Sequence, residues 1–152
     1  MSWLDTDTFR TVIDNTPLVS IDLIITDTEN RILLGKRNNR PAQGYWFVPG
    51  GRIQKNETLD TAFRRLTKEE LGLELTRDHA KFLGAYEHLY SDSIFGDEVS
   101  THYVVLGYQL ALSSEELNLP DAQHHEFRWW PINEMKVAEQ VHENSKTYLT
   151  SL

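Results

Sequence analysis

The chain has 152 residues, the size of one domain, so one functional site is expected. Its 15 Lys and Arg stand against 23 Asp and Glu, a formal charge of −8. That balance excludes a broad electrostatic grip on nucleic acid or an anionic membrane, and admits a small anionic substrate only where a metal ion or local arginines offset the repulsion. The absence of cysteine excludes disulfides, thiol nucleophiles and cysteine-based zinc sites.

Residues 1–15 carry three aspartates and no apolar core, so no secretory signal is expected. No stretch approaches the length of a membrane span, and a cytoplasmic location is the expectation. Phe9, Val12 and Ile13, following Asp5 and Asp7, predict a short helix stopped before Pro17. Residues 18–26 alternate, with Val19, Ile21, Leu23 and Ile25 on one face and Ser20, Asp22 and Ile24 on the other, which predicts a strand with one greasy side. A turn over 27–30 leads to a strand at 31–37. A loop rich in Asn, Arg, Pro and Gly then reaches Tyr45-Trp46-Phe47-Val48-Pro49 and the pair Gly50-Gly51. A helix of about four turns is predicted over 58–71, ended by Gly72, where a left-handed residue costs least. Strands follow at 82–90 and 99–112 around the polar loop 91–98. A loop over 119–125 precedes a short strand at 127–130, and Val141, Ser145 and Tyr148 have helical spacing. This order predicts an α/β domain with a mixed sheet covered by helices.

The helix over 58–71 holds the sharpest chemical clue. Leu59, Ala62, Phe63 and Leu66 make an apolar stripe at i, i+3, i+4 and i+7, and four residues further the stripe meets Glu70. A carboxylate there loses water and sits at the negative end of the helix dipole, beside the like charge of Glu69. A cation, either a metal or an arginine, is the natural answer; an exposed, frayed last turn is the alternative. Gly50-Gly51 lies after a strand, where a main-chain carbonyl approaches an ion closely, and an all-oxygen donor set suits Mg²⁺.

Gly51, Glu57, Arg65 and Glu69-Glu70-Leu71-Gly72-Leu73 resemble the Nudix box, the loop–helix–loop that binds a divalent metal on nucleoside diphosphates. The resemblance implies the Nudix fold, an α/β/α sandwich around a mixed β-sheet, as one domain over 1–152 with the box at 51–73. Two positions depart from the box. Leu66 stands where the pattern has Glu, and Thr67 where it has an aliphatic. A carboxylate that Nudix pyrophosphatases often use is therefore missing, which favours one ion and a base found elsewhere.

These departures resemble one subgroup, the GDP-mannose mannosyl hydrolases. So do Thr16-Pro17-Leu18-Val19-Ser20, Leu34-Gly35-Lys36-Arg37, the run from Arg40 to Arg52, Thr101-His102-Tyr103 through Gly107, Leu119-Pro120-Asp121 with Gln123-His124, and Val141-His142 with Asn144-Ser145. The subgroup hydrolyses GDP-mannose and GDP-glucose to GDP and free sugar by displacement at the anomeric carbon. The resemblance implies metal ligands at the Gly50 carbonyl, the Glu70 carboxylate and the Gln123 amide, one Mg²⁺ per subunit with Mn²⁺ able to substitute. It puts the general base at His124, with His125 the weaker candidate. GDP bound to a metal leaves readily, so one base on the side of the water suffices, and histidine suits neutral pH.

By the same resemblance Arg37 and Tyr103 contact the departing diphosphate, Arg52 faces phosphates or metal carboxylates, and Asp22 lies near the sugar. Arg37 read alone is equally a surface charge at a strand end, and Tyr103 plain packing. Arg65 braces Glu69 at i, i+4 or orients the ligand glutamate; Glu69 and Glu57 are supporting or helix-capping groups. His88, between Tyr86 and Tyr90 on one face, is a diphosphate or sugar contact. Trp3, Leu4 and Phe9 are implied for guanine, reaching across a homodimer, although Phe9 aligns with Val12 and Ile13 as core. The partners expected are a nucleotide sugar and a second copy, with neither nucleic acid nor membrane. Two other readings stay open: a pyrophosphatase attacking phosphorus to give GMP and sugar 1-phosphate, and a nucleotide-sugar binding module without turnover.

Overall fold

Asp5 opens the first helix by accepting a hydrogen bond from the Thr8 amide at 2.8 Å, which satisfies a free N–H of the helix start. This helix, α1 (Thr6–Asn15), stops before Pro17 as predicted. The computed structural model describes residues 4–120 and 126–152. After α1 come β1 (Leu18–Thr26), β2 (Arg31–Lys36), the short strands β3 (Trp46–Phe47) and β4 (Gly50–Arg52), and α2 (Leu59–Leu71). β5 (Lys81–Tyr90) and β6 (Thr101–Ala111) form a hairpin, and β7 (Glu126–Pro131) leads into α3 (Ile132–Val137) and α4 (Glu143–Lys146). α3 had no counterpart in the sequence pattern. The helix expected over 141–152 is α4 continued by a 3₁₀ turn, Thr147–Ser151. Among the described residues, no helix is long and apolar enough to cross a membrane.

The sheet runs β3-β2-β1-β6-β5, with β4 also paired to β1 and β7 to β2. β1 and β6 are parallel and the other pairings antiparallel, so the sheet is mixed as expected. Central β1 corrects the one-sided reading of residues 18–26. Ile21, Leu23 and Ile25 pack under Ala62, Phe63, Leu66 and Leu71 of α2. Ile24 is equally buried on the opposite face, against Val48, Trp130, Met135, Val141 and Tyr148. Helices cover both faces of the sheet, so its middle strand has no solvent side. Val19, read as core, is exposed near the strand start.

α2 has both predicted ends. The Thr58 side chain accepts from the Thr61 amide at 3.1 Å, and Gly72 takes φ 70° at the C-cap. A Cβ at Gly72 would strike the Asn118 carbonyl, so glycine lets the 113–120 loop lie on the helix end, where the Asn118 amide donates to Leu71 O at 2.9 Å. The buried stripe is turned slightly from the predicted one. Leu59 is 37% exposed, whereas Thr67 is buried and accepts from the Leu75 amide at 3.0 Å. Glu70 thereby sits at the edge of the stripe, half-buried.

Candidate active site

β4 brings the two glycines to the site. It pairs with β1 so that Gly50 lies opposite Asp22 and Gly51 opposite Ile21. A Cβ at Gly50 would meet Ile21 O and Asp22 Oδ1, and a Cβ at Gly51 would meet Leu66 Cδ2. Glycine is required at position 50, where backbone and a carboxylate close in, and at position 51 any side chain would have to displace the buried Leu66 methyl of α2. Around this clamp opens a cleft of about 410 Å³, with Asp22, Arg37, Gly50, Arg52, Arg65, Glu69, Glu70, His88 and Tyr103 in its wall. Nine residues selected from widely separated segments of the sequence thus meet in one cavity.

Glu70 has no hydrogen bond or ion pair among the described residues. Burial, then the charges of Glu69 and Asp22, push its carboxyl up to about 7, against a smaller opposing pull from Arg65. Asp22 is raised to about 6 by burial, although the Tyr148 hydroxyl donates to its Oδ2 at 2.7 Å and Arg37 lies near. Two desolvated carboxyls and an accessible main-chain strand at Gly50 make an oxygen-rich, electron-rich floor. Among the described residues no cluster of three or more His, Cys, Asp or Glu forms a metal cage. The donor set instead fits an ion held by few protein oxygens and completed by substrate oxygens or water, which is the habit of Mg²⁺.

Facing this acidic floor are two guanidiniums with no carboxylate at salt-bridge distance among the described residues. Arg37 donates to Pro41 O at 2.9 Å and lies 4.0 Å over the Phe47 ring; Arg52 lies 4.8 Å over Phe9. Aromatic faces hold these cations without neutralising them, so both are free to meet an anion. A chain of charge −8 thus keeps a local positive edge at this cleft. The Tyr103 hydroxyl is raised by burial, so the phenol stays protonated and able to donate. Tyr103 shares its face with buried Val105, opposite half-buried Val104 and Leu106, and packs beside Ile13, Leu18 and Val99. Packing and cleft exposure coincide in one side chain.

His88 is 5% exposed, and its Nε2 is buried with no hydrogen-bond partner among the described residues. Burial first, then His142 and Arg37, lowers its pKa to about 4, so it is neutral near pH 7. Arg65 proves to be a hub. It reaches Glu57 through two bonds of 2.8 Å, Glu69 at 3.2 Å and Arg52 O at 2.9 Å. Glu57 is therefore a partner of Arg65 and of the Gln54 amide, not a helix cap; the cap is Thr58. Leu66 is buried in the core at the position where the box has a carboxylate. Phe9 lines the cleft and also packs against Phe95, while Leu4 is exposed and outside the cleft wall.

Trp3, Gln123, His124 and His125 lie outside the described residues. Before them the Asn118 amide donates to the end of α2, and after them Glu126 pairs with Lys36, next to Arg37. Sequence reasoning overlooked several cleft residues. Gln54 is 9% exposed with Nε2 unpaired, and Arg40 is tied to Asp97 at 2.8 Å. Neither carries a periodic signal, since both lie in irregular segments. Tyr90 and Phe47 were read only as strand residues.

The NUDIX domain family profile matches residues 16–152. The chain is 38% identical over 143 residues to the low-salt glycan biosynthesis protein Agl8 of Haloferax volcanii, covering 94% of this chain and 84% of the relative. Over 57 residues, 38% of this chain and 33% of the relative, it is 46% identical to an ADP-ribose pyrophosphatase of Methanocaldococcus jannaschii. A solved MutT NUDIX hydrolase from Burkholderia pseudomallei aligns at a TM-score of 0.72 and 27% identity, covering 91% of this chain and 99% of that one. A family match over nearly the whole length, joined to the glycine clamp and the unanswered Glu70 at the end of α2, leads to one conclusion: the chain belongs to the Nudix hydrolase family.

Proposed function

We propose that this Nudix hydrolase cleaves GDP-mannose, and GDP-glucose, to GDP and free sugar, with water attacking the anomeric carbon and inverting it. The observation that carries the reading is the pairing of an unpartnered Glu70 with a buried Leu66. Of the box glutamates, Glu57 and Glu69 are engaged by Arg65 and Glu70 remains to serve a metal, while the position of a further carboxylate that would support attack on phosphorus is filled by core. The relative named for glycan biosynthesis adds support, because glycan assembly draws on sugar nucleotides.

The Gly50 carbonyl, the Glu70 carboxylate and the Gln123 amide would hold one Mg²⁺, or Mn²⁺, per subunit. When bound, that ion neutralises charge on the diphosphate and makes GDP a better leaving group. Arg37 and Arg52 donate charge-assisted hydrogen bonds to diphosphate oxygens, and the Tyr103 hydroxyl adds a neutral donor where charge grows. Neutral His88 uses its open Nε2 toward the diphosphate or sugar. Asp22 presents its carboxyl to the sugar as positive charge develops at the anomeric carbon. His124 takes the proton from water, with Arg65 and Glu69 bracing the helix that carries Glu70. Trp3, Leu4 and Phe9 enclose guanine in a homodimer. The protein acts on free nucleotide sugar in the cytoplasm, without nucleic acid or membrane.

Hydrolysis in ¹⁸O-water tests the reading: label is expected in the sugar. Label in phosphate would replace it with attack on phosphorus, the reading favoured by the 57-residue likeness to an ADP-ribose pyrophosphatase. His124→Gln is expected to lower kcat at least a hundredfold, about the worth of a general base, while Mn²⁺ binding holds.

A further inference from the structure

The motif Val141-His142 with Asn144-Ser145, and Gly107 on β6, have no part in the chemistry above, yet both converge on the cleft floor. The segment around α4 docks on β3: the Trp46 amide donates to Gln140 O at 2.8 Å and the His142 amide to Trp46 O at 3.1 Å. The His142 ring stacks on Phe47 at 4.8 Å. The Val48 amide donates to Ser145 Oγ at 3.1 Å, a buried bond spanning 97 residues. This fixes the backbone two residues before Gly50.

One turn further, Tyr148 is fully buried. A Cβ at Gly107 would stand 2.8 Å from Tyr148 Cε1, so glycine there opens the slot in which the ring lies. Gly107 is the register partner of Asp22. A ring seated on Gly107 therefore aims its hydroxyl across one strand at Asp22, and it donates to Oδ2 at 2.7 Å. Tyr86 packs edge-on against the ring at 4.6 Å, closing the other side. Asp22 Oδ1 is left on the Gly50 side, 2.5 Å from where a Cβ of that residue would be.

We propose that Tyr148 is a positioning residue of the site: its hydroxyl fixes which oxygen of Asp22 faces Gly50 and the cleft, and the Ser145–Val48 bond ties both walls to the same turn. The inference rests on Asp22 and Gly50 being site residues, as proposed above. Tyr148 itself reaches the site through the hydrogen bond to Asp22.

The test has two arms. Without substrate, proton NMR of the intact protein is expected to show a slowly exchanging tyrosine hydroxyl signal that vanishes in Tyr148→Phe and moves in Asp22→Ala. Its absence from the unmodified protein overturns the proposal whatever the enzyme does. With substrate, Tyr148→Phe is expected to lower kcat about tenfold with KM within about twofold, and to cost nothing further in an Asp22→Ala background. An equal loss in both backgrounds, or no loss in either, also overturns it. If ¹⁸O enters phosphate while the two positions remain coupled, the glycosyl reading fails and the positioning role stands.

Discussion

At the N-terminal end of α2, Glu57 is held by Arg65 through two 2.8 Å bonds and by the Gln54 amide at 2.7 Å, and its pKa is lowered, chiefly by Arg65. At the C-terminal end, Glu70 has neither donor nor counter-ion among the described residues, and its pKa is raised to about 7, chiefly by burial. The two ends of one helix thus carry a closed ion network and an open carboxylate. The closed end stabilises the fold; the open end is costly in the free protein and becomes favourable only when a cation answers it. Function in this molecule is found where compensation is missing.

The contrast breaks most visibly at Glu70. Glu70→Gln is expected to reduce turnover about a thousandfold or more, and to raise the melting temperature of the metal-free protein by a few degrees, because an unanswered charge is gone. Hydrolysis assays and thermal melts without divalent cation read the two effects, and a lower melting point would mean that the carboxylate is already satisfied. At the closed end the sign reverses. Glu57→Ala is expected to destabilise by about 3 kcal/mol, since it takes two of the four hydrogen bonds of Arg65, a side chain only 14% exposed, and leaves it Glu69 and Arg52 O. Urea titration checks it, and a change under about 1 kcal/mol would make the network ornamental.

His88 extends the comparison to pH. Its pKa is about 4 in the folded protein against 6.5 for an ordinary histidine. Between those values the unfolded chain binds the extra proton, so the stability contributed by neutral His88 is complete above pH 6.5. It is lost as pH falls toward 4, on the order of 3 kcal/mol in all. His88→Gln should flatten that slope in melts taken across the window; an unchanged slope would place the titration elsewhere. The smallest effect belongs to the free cations. Arg37→Met or Arg52→Met is expected to weaken GDP binding about tenfold each in calorimetry, with melting nearly unchanged. A large loss of stability would show that their aromatic contacts matter more than their charge.

Much of this site was legible in the chain. The caps Asp5, Thr58 and Gly72 act locally, so the start of α1 and both ends of α2 follow from neighbours in sequence, whereas α3 has no side-chain cap to announce it. The spacing of Gly51, Glu57, Arg65, Glu69 and Glu70 is read on one loop and one helix. What failed were readings that depend on neighbours from elsewhere. Val19 alternates with core residues but lies exposed near the strand start, and Leu59 belongs to the stripe by spacing but faces out. Glu57 looks like a helix-terminal acid until Arg65, eight residues away, is seen to claim it.

By itself the sequence determined the periodicities, the caps and the glycine-rich entry to α2, because these follow from torsions and hydrogen bonds within a few residues. It also carried the missing box carboxylate at Leu66, a matter of residue identity alone. Only the tertiary structure decided that β1 is covered on both faces, that Arg37 and Arg52 lie on aromatic rings with no carboxylate at salt-bridge distance among the described residues, and that Tyr148 reaches Asp22 across 126 residues. Those outcomes depend on which strands become neighbours, and strand pairing over such separations is set by burial of the whole sheet, not by any local preference.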